Sequence, residues 1–187
     1  MTTKVFQILL ILFFSPIILL ISIAISILVK ITSKGPILFW SNRVGGNGKN
    51  FLMPKFRTMQ VETPEVATHL LENPKAHITK IGKFLRKYSL DEIPQILSVL
   101  SGDMNIVGPR PALFSQEDLI ELRHKYKIDK IKPGITGWAQ VNGRDEISIT
   151  EKVNLDLFYA NNKGFYLDLK ILFITIKKVL FKTNISH

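Results

Sequence analysis

The feature that most constrains this chain is an uncharged apolar run near its N-terminus, from Val5 to Val29. The run consists mostly of Ile, Leu, Phe and Val, and it exceeds the roughly 20 residues that an α-helix needs to span a bilayer. It is too long for the apolar core of a signal peptide, and no small-x-small cleavage site follows it. We therefore expect a membrane helix that is retained in the protein.

Ser15 and Pro16 lie in the middle of this run. Proline removes a backbone donor and clashes with the preceding turn, and a serine hydroxyl can bond a carbonyl that is freed in this way. A kink here would let the helix enter and leave on one membrane face, but an ordinary kinked span fits the same residues. Lys4 precedes the run and Lys30 and Lys34 follow it, so both ends carry the positive charge typical of the cytoplasmic side.

The charge balance indicates an anionic partner. The 187 residues include 25 Lys and Arg against 15 Asp and Glu, a formal charge of +10, which suits a phospholipid membrane, nucleic acid or a phosphorylated substrate. The absence of cysteine excludes disulfides and thiolate metal sites. No helix-turn-helix, RNA-recognition or zinc-finger signature accompanies the charge, so we predict no nucleic-acid partner.

A β-hairpin is predicted directly after the membrane segment. Apolar residues at 37–40 and 51–53 flank the turn sequence Gly45-Gly46-Asn47-Gly48. Pro54 lacks an amide donor, so it should make the second strand an edge strand or end it early.

The remainder predicts an α+β fold that is mainly helical. Apolar residues at helical spacing among lysines and arginines predict basic amphipathic helices over 78–88 and 166–181. Such helices often only cover a core, but the membrane helix favours a position in the headgroup layer for at least one. Stretch 63–77 is expected to be a loop or a short helix. We divide the chain into a membrane helix, 1–34, and one further domain, 35–187.

Candidate chemistry begins at Ser89-Leu90-Asp91-Glu92, which fits the capping-box spacing S-x-x-E. This spacing places Asp91 in the first turn of a helix, where the helix dipole favours the ionised carboxylate. Such a carboxylate can attack phosphorus or hold a divalent cation, although an isolated motif of this kind equally fits a simple helix cap.

A carboxylate that attacks a diphosphate needs cations nearby, because an anion must approach an anion. Arg110 is the most restrained candidate, because Pro109 and Pro111 flank it, and this suits bidentate contact with phosphate. No Walker loop or dinucleotide fingerprint is present, which excludes the familiar routes of nucleotide recognition. The candidate substrate-binding residues are Lys55, Arg57, Arg86, Arg110 and Arg144.

Seven blocks cover most of the chain in a fixed order. They are Ser15-Pro16, Gly35-Pro36-Ile37, Arg43-Val44-Gly45, Lys55 to Met59, Arg86 to Gln95, Gly102 to Pro111, and Lys132 to Arg144. In this order they resemble the bacterial sugar transferase family, the small monotopic phosphoglycosyl transferases that begin glycoconjugate assembly. One departure is Pro54, where similar proteins usually carry an aromatic residue.

The resemblance implies a re-entrant helix kinked at Ser15-Pro16, on the cytoplasmic face of the bacterial inner membrane. It also implies that Asp91 attacks the sugar-bearing phosphate of a UDP-sugar, that UMP leaves, and that undecaprenyl phosphate then takes the phosphosugar. By the same likeness, Mg²⁺ bridges Asp91, Glu92 and the diphosphate, and Glu92 binds this metal or moves a proton. Arg144 would belong to the nucleotide or phosphate site, and a homo-oligomer is compatible with the likeness.

A non-catalytic protein of the membrane surface is the alternative from another class. In it the apolar run would be an anchor, and the cationic helices would bind anionic lipid. This alternative explains the charge but gives Asp91, Glu92 and Arg110 no role.

Overall fold

The structure is a computed structural model that describes residues 2–64, 73–143 and 147–181. Helices dominate it, with two small sheets, which confirms the predicted α+β class. The helices are α1 (Thr2–Thr32), α2 (Pro74–His77), α3 (Lys80–Lys87), α4 (Ile96–Ser101), α5 (Glu117–Lys125), α6 (Trp138–Asn142), α7 (Ile149–Asn162) and α8 (Phe165–Phe181). The strands are β1 (Leu38–Val44), β2 (Asn50–Phe56), β3 (Asn105–Val107), β4 (Ala112–Leu113) and β5 (Gly134–Thr136).

The predicted hairpin is confirmed. Strands β1 and β2 pair antiparallel, and β4 adds to the other side of β1, so β2 is an edge of the sheet. Pro54 therefore lies on an edge strand, as predicted, but β2 continues past it to Phe56 and does not end early. The described sheet has no strand on the outer side of β2, so the missing amide of Pro54 costs no ladder hydrogen bond.

The two loops rich in Gly and Pro come together through β3 and β5, which pair parallel. The Gly108 amide donates to the Thr136 carbonyl at 2.8 Å. A Cβ atom on Gly134 would overlap the backbone of Gly108, so the close approach of the two segments requires glycine. The chain before β4, which carries Arg110, is thereby fixed to the segment around β5.

Helix α1 stays helical through Pro16. The Ser15 hydroxyl donates to the Leu12 carbonyl at 2.8 Å. This carbonyl lies four residues before Pro16 and lacks its normal amide partner, so the predicted compensation by serine is confirmed. By length and composition, α1 can cross a membrane, and only 11% of its most apolar 18-residue stretch is buried within the protein.

Helix α1 contacts the rest of the protein near both of its ends. The Gln7 side chain accepts a hydrogen bond from a β3 amide at 3.1 Å, and Ile11 packs in a cluster with Met53. Towards the other end, Val29 packs in a cluster with Leu85. Gln7 and Val29 are separated by about 33 Å along the helix axis, so the contacts extend over most of its length.

Both predicted amphipathic helices are present as α3 and α8. Leu85 and Ile171 are fully buried, whereas Phe84 and Phe173 are exposed. Each helix therefore carries apolar side chains beyond those that cover the core. Of the stretch 63–77, α2 forms its last part, and residues 65–72 lie outside the described residues.

The predicted capping box at Ser89 is wrong. Ser89 has a left-handed backbone, with φ 54°, and among the described residues its side chain makes no capping hydrogen bond. Its amide donates to the Arg86 carbonyl at 3.1 Å, so this residue terminates α3. An N-cap needs an extended backbone, and one residue cannot have both conformations. A 3-10 helix, Leu90–Gln95, follows and leads into α4.

We expect Gly82→Ala in α3 to destabilise the protein, although alanine favours a helix. A Cβ atom there would overlap the Thr58 carbonyl oxygen, so α3 must move away from the end of β2. Overpacking of this kind costs about 1–3 kcal/mol, more than the ~1 kcal/mol gained in helix propensity. Thermal unfolding in detergent measures the effect. Gly46→Ala is the control, because its Cβ would meet only ordinary contacts, and equal melting temperatures for the two variants would contradict the prediction.

Candidate active site

Asp91 and Glu92 occupy the first turn of the 3-10 helix. The 3-10 helix packs against β2 and α3, and the Asp91 side chain is buried. Its Oδ1 atom has no hydrogen-bond partner within the described parts of the chain. A buried carboxylate oxygen without a partner is costly, so its presence indicates a site that binds a ligand.

Arg110 contacts Glu92 directly. One guanidinium nitrogen lies 2.7 Å from the Glu92 Oε1 atom, and both side chains are at least partly buried. Arg110 lies between β3 and β4, flanked by the two prolines that the sequence showed. The predicted restraint thus holds this cation against the carboxylate pair.

Two further predicted cations act on Asp91. Lys55 at the end of β2 and Arg86 at the end of α3 both interact electrostatically with its carboxylate. The Arg86 Nε atom donates to the Thr58 hydroxyl at 3.0 Å, which holds the buried guanidinium in place. Residues distant in sequence therefore surround the acidic pair with positive charge.

Burial sets the protonation of the site. Burial and the charge of Glu92 raise the pKa of Asp91, the neighbouring cations lower it, and the net pKa is about 6. The predicted helix dipole would favour the ionised form, but desolvation outweighs the small dipole of one short 3-10 helix, so the net shift is upward. Burial also lowers the pKa of Lys55 to about 8, with a further contribution from Arg43. Both groups are still mainly charged at pH 7.

A cavity of about 110 Å³ lies between the hairpin and α3. Lys55 and Arg86 line it, whereas Asp91, Glu92 and Arg110 are not among its described lining residues. Arg57 also lines the cavity. Its guanidinium already has partners within the protein, because it donates to the Pro36 carbonyl at 2.9 Å and lies over the Phe39 ring. The cations lining the cavity are Arg43, Lys55, Arg57 and Arg86.

Arg43 was not among the predicted site residues. Its side chain donates to the Ser41 hydroxyl at 3.0 Å and to the Pro111 carbonyl at 3.2 Å, so it connects β1 to the loop of Arg110. The signal that could have identified it is its place in the block Arg43-Val44-Gly45.

A buried ion pair holds the backbone of the loop that carries Arg110. Arg123 on α5 lies 2.6 Å from the Asp156 carboxylate on α7, and it also donates to the Arg110 carbonyl at 2.8 Å. Asp156 is 1% exposed. Neither residue belongs to a local motif, and 33 positions separate them, so no local pattern predicts the pair.

Arg144, the fifth predicted cation, lies outside the described residues. Asn142, two positions earlier, donates from its side chain to the Trp138 carbonyl at 2.8 Å within α6. The predicted role of this segment in binding nucleotide or phosphate stays a prediction.

The residues fit a magnesium ion that is shared with a substrate. No group of three or more His, Cys, Asp and Glu side chains suitable for a metal occurs in the described residues. Mg²⁺, however, is commonly held by one or two carboxylates together with substrate phosphate oxygens. Asp91, with its unpartnered Oδ1, and the adjacent Glu92 meet that requirement.

Buried Asp91 beside partly buried Glu92, the cations that act on them and an apolar helix fit a membrane-associated enzyme that acts on a phosphorylated substrate. The family model described as bacterial sugar transferase matches residues 1–182. The chain therefore belongs to the bacterial sugar transferase family, and the resemblance seen in the sequence is confirmed.

Several relatives are 34% to 43% identical to this chain over the aligned residues. The sugar transferase EpsL of Bacillus subtilis is 42% identical over 171 residues, which cover 91% of this chain and 82% of EpsL. The UDP-glucose:undecaprenyl-phosphate glucose-1-phosphate transferase of Escherichia coli is 43% identical over 91% of this chain and 37% of its own length. A UDP-N-acetylgalactosamine-undecaprenyl-phosphate N-acetylgalactosaminephosphotransferase of Aeromonas hydrophila is 34% identical over 89% of this chain and 40% of its own length. The chain thus spans less than half of these two named transferases.

We expect Asp91→Asn to stabilise the protein at neutral pH. The folded pKa of about 6 exceeds the ordinary value of 3.8, so the folded state binds more protons in this window and loses stability as pH rises through it. The variant should therefore gain about 1–3 kcal/mol at pH 7 and little below pH ~4. Thermal unfolding in detergent at both pH values measures this. Asp118→Asn, which removes an exposed carboxylate on α5, is the control. A less stable Asp91→Asn protein at pH 7 would contradict the raised pKa of Asp91.

Proposed function

We propose that this protein transfers a sugar 1-phosphate from a UDP-sugar to undecaprenyl phosphate, giving undecaprenyl diphosphate sugar and UMP. The observation that carries the proposal is the buried Asp91 carboxylate, whose unpartnered Oδ1 lies beside Glu92 and a ring of cations. The names of the Escherichia coli and Aeromonas relatives, which specify UDP-sugars and undecaprenyl phosphate, support the choice of substrates. Such a reaction would be the first membrane step in the assembly of a glycan.

In the first step, an oxygen of Asp91 attacks the phosphorus that carries the sugar. A bond forms between this oxygen and phosphorus, the bond from phosphorus to the bridging oxygen breaks, and UMP leaves with the electron pair. The carboxylate is a suitable nucleophile at pH 7, because its pKa of about 6 leaves it mainly ionised. Burial removes water that would otherwise solvate and weaken the nucleophile.

The cations make this approach of two anions possible. Lys55 and Arg86 lie close enough to Asp91 to affect its charge, and they line the cavity in which the diphosphate would bind. Arg110 carries several donors on one guanidinium, so it can keep Glu92 with one and bind a phosphate oxygen with others. Positive charge fixed in advance around the phosphorus stabilises the charge of the transition state.

Mg²⁺, held by Asp91 and Glu92, would neutralise charge on the diphosphate when bound. Glu92 lies next to the nucleophile and contacts Arg110, so it can orient this arginine as well as hold the metal.

In the second step, a phosphate oxygen of undecaprenyl phosphate attacks the same phosphorus. The bond to Asp91 breaks, the carboxylate is regenerated, and the lipid leaves with the phosphosugar. A covalent intermediate lets one small cavity receive a soluble donor and a membrane acceptor in turn. Both substrates then use the same cations near Asp91, which are Lys55, Arg86 and Arg110.

We further propose that α1 is re-entrant and that the domain lies on the cytoplasmic face of the inner membrane. The support is that Gln7 and Val29, about 33 Å apart along α1, both contact the same domain. A helix that spanned the bilayer would put these residues on opposite faces of a hydrocarbon layer about 30 Å thick. Exposed apolar side chains on other helices, such as Phe84 and Phe173, would then lie in the headgroup layer.

Enzyme mixed with UDP-sugar and Mg²⁺, without lipid, should release about one UMP per active site and then stop. Mass spectrometry of the stalled protein should find the phosphosugar on the peptide that contains Asp91. Asp91→Asn should release none, Glu92→Gln should be slower by roughly 10²-fold or more, and Asp118→Asn should behave as the unaltered protein. UMP release that begins only after undecaprenyl phosphate is added would contradict the covalent step.

Cysteines placed at Thr2 and at Ser33 should both react with a membrane-impermeant thiol reagent from the cytoplasmic side. The chain has no native cysteine, so the labelling is specific to these positions. A second pair of single-cysteine variants in the background Ser15→Leu and Pro16→Ala should show increased labelling of one end from the other side. Without proline the helix regains the backbone hydrogen bond at this position and loses the proline clash, which favours a straight helix that spans. Labelling of the two ends from opposite sides without these substitutions would exclude a re-entrant helix.

A further inference from the structure

A second cavity, of about 330 Å³, lies away from the carboxylate pair. It is bounded by β3, the segment before β5 and the junction of α7 with α8. Within the described residues, its lining shares no residue with the catalytic cavity. The residues that matter for its chemistry are Asn105, Lys130, Lys132, Tyr159, Lys163 and Asp168.

The lining is rich in hydrogen-bond donors and has a net positive charge. Three lysines line the cavity together with a single carboxylate, that of Asp168. This carboxylate accepts a hydrogen bond from the Tyr159 hydroxyl at 2.8 Å, so part of its accepting capacity is used within the protein. Lysine ammonium groups are donors only, and their natural ligand is an anionic acceptor such as a phosphate group.

An apolar crevice adjoins the lysine cavity. The two share Gln7, Val107 and Asp168 as lining residues, so they form one site with a charged part and an apolar part. The crevice itself holds only about 10 Å³, so an acyl chain would lie on the exposed apolar surface beside it and not inside it. The apolar part is lined by Phe6, Leu10, Phe165, Leu169 and Leu172. A free phosphate ion would use only the charged part, whereas an amphiphile would use both.

The position of this site in the fold favours a lipid. Its apolar part is built from the first turns of α1, the membrane helix, and of α8. Next to it, Tyr166 is 86% exposed, and Leu169 is also exposed. The headgroups of a bilayer that contains α1 would therefore lie at the level of the lysines.

We propose that this cavity binds the headgroup phosphate of an anionic phospholipid, with the beginning of an acyl chain on the exposed apolar surface of α1 and α8 beside the crevice. The proposal rests on the membrane placement of α1 and is independent of the proposed reaction. The site is also distinct from the place where the acceptor lipid must react. Lys132, which lines the cavity, donates to the carbonyl of Gly102 at the end of α4. The helical segments from Asp91 to Gly102 extend over about 20 Å, and they lie between the cavity lysine and the carboxylate along the chain.

The test uses the full chain in nanodiscs of phosphatidylcholine with or without phosphatidylglycerol, followed by extraction into detergent and native mass spectrometry of the retained lipid. We expect phosphatidylglycerol to be retained in preference to phosphatidylcholine. Replacing Lys130, Lys132 and Lys163 together by glutamine should weaken this retention by about tenfold or more. Replacing the same three lysines by arginine should preserve it, which shows that the first variant does not simply misfold.

A matched control removes the same charge elsewhere. Lys83, Lys87 and Lys177 are exposed on α3 and α8 and do not line the cavity, so their replacement by glutamine should leave phosphatidylglycerol retention within about twofold. An equal loss in both glutamine variants would show general charge attraction and overturn the proposal. A UMP burst measured in parallel separates this outcome from any failure of the proposed reaction.

Two competition arms identify the source of the phosphate. Inorganic phosphate should not displace the retained phospholipid at millimolar concentration, because it gains nothing from the exposed apolar surface of α1 and α8. Displacement by inorganic phosphate would indicate a soluble anion as the ligand. Displacement by one equivalent of undecaprenyl phosphate would assign the cavity to the acceptor, and either result would overturn a phospholipid site.

Discussion

The structure holds a negative charge in a buried position, at a cost in stability at neutral pH. Asp91 is only 6% exposed, and an isolated carboxylate in such a place would be protonated or would destabilise the fold by several kcal/mol. It stays mainly ionised at pH 7 because Lys55, Arg86 and Arg110 reach it from three different segments. The fold therefore places β2, α3 and the loop before β4 near one carboxylate.

Each cation is in turn held by a contact outside the acidic pair. The Thr58 hydroxyl fixes Arg86, and the backbone of the Arg110 loop is bonded by Arg123, whose charge is balanced by buried Asp156. Side chains that are fixed before the substrate binds need no reorganisation during the reaction. The ion pair of Arg123 and Asp156 therefore contributes more to the geometry of the site than to stability, since buried ion pairs return little net free energy.

Local patterns in the sequence predicted the elements well and their interactions less well. The hairpin and the amphipathic helices α3 and α8 follow from turn residues and apolar spacing, which act within a few positions. Ser89 fitted a capping box, but the end of α3 needed a left-handed residue at that position, and this requirement comes from the preceding helix. The raised pKa of Asp91 and the pairing of Arg123 with Asp156 depend on tertiary burial, which no local pattern contains.

The membrane helix is also part of the support for the site. Val29 of α1 lies in one buried cluster with Phe56 and Leu85. Phe56 directly follows Lys55 in the sequence, and Leu85 directly precedes Arg86. Consecutive residues of a strand point to opposite faces, so Phe56 can pack on α1 while the Lys55 side chain projects from the other face of β2. Both residues contribute to the lining of the cavity. The packing that fixes α1 against the domain thus also fixes the backbone from which Lys55 and Arg86 project, so in the proposed function the same contacts would set the position of the membrane and the geometry of the reaction.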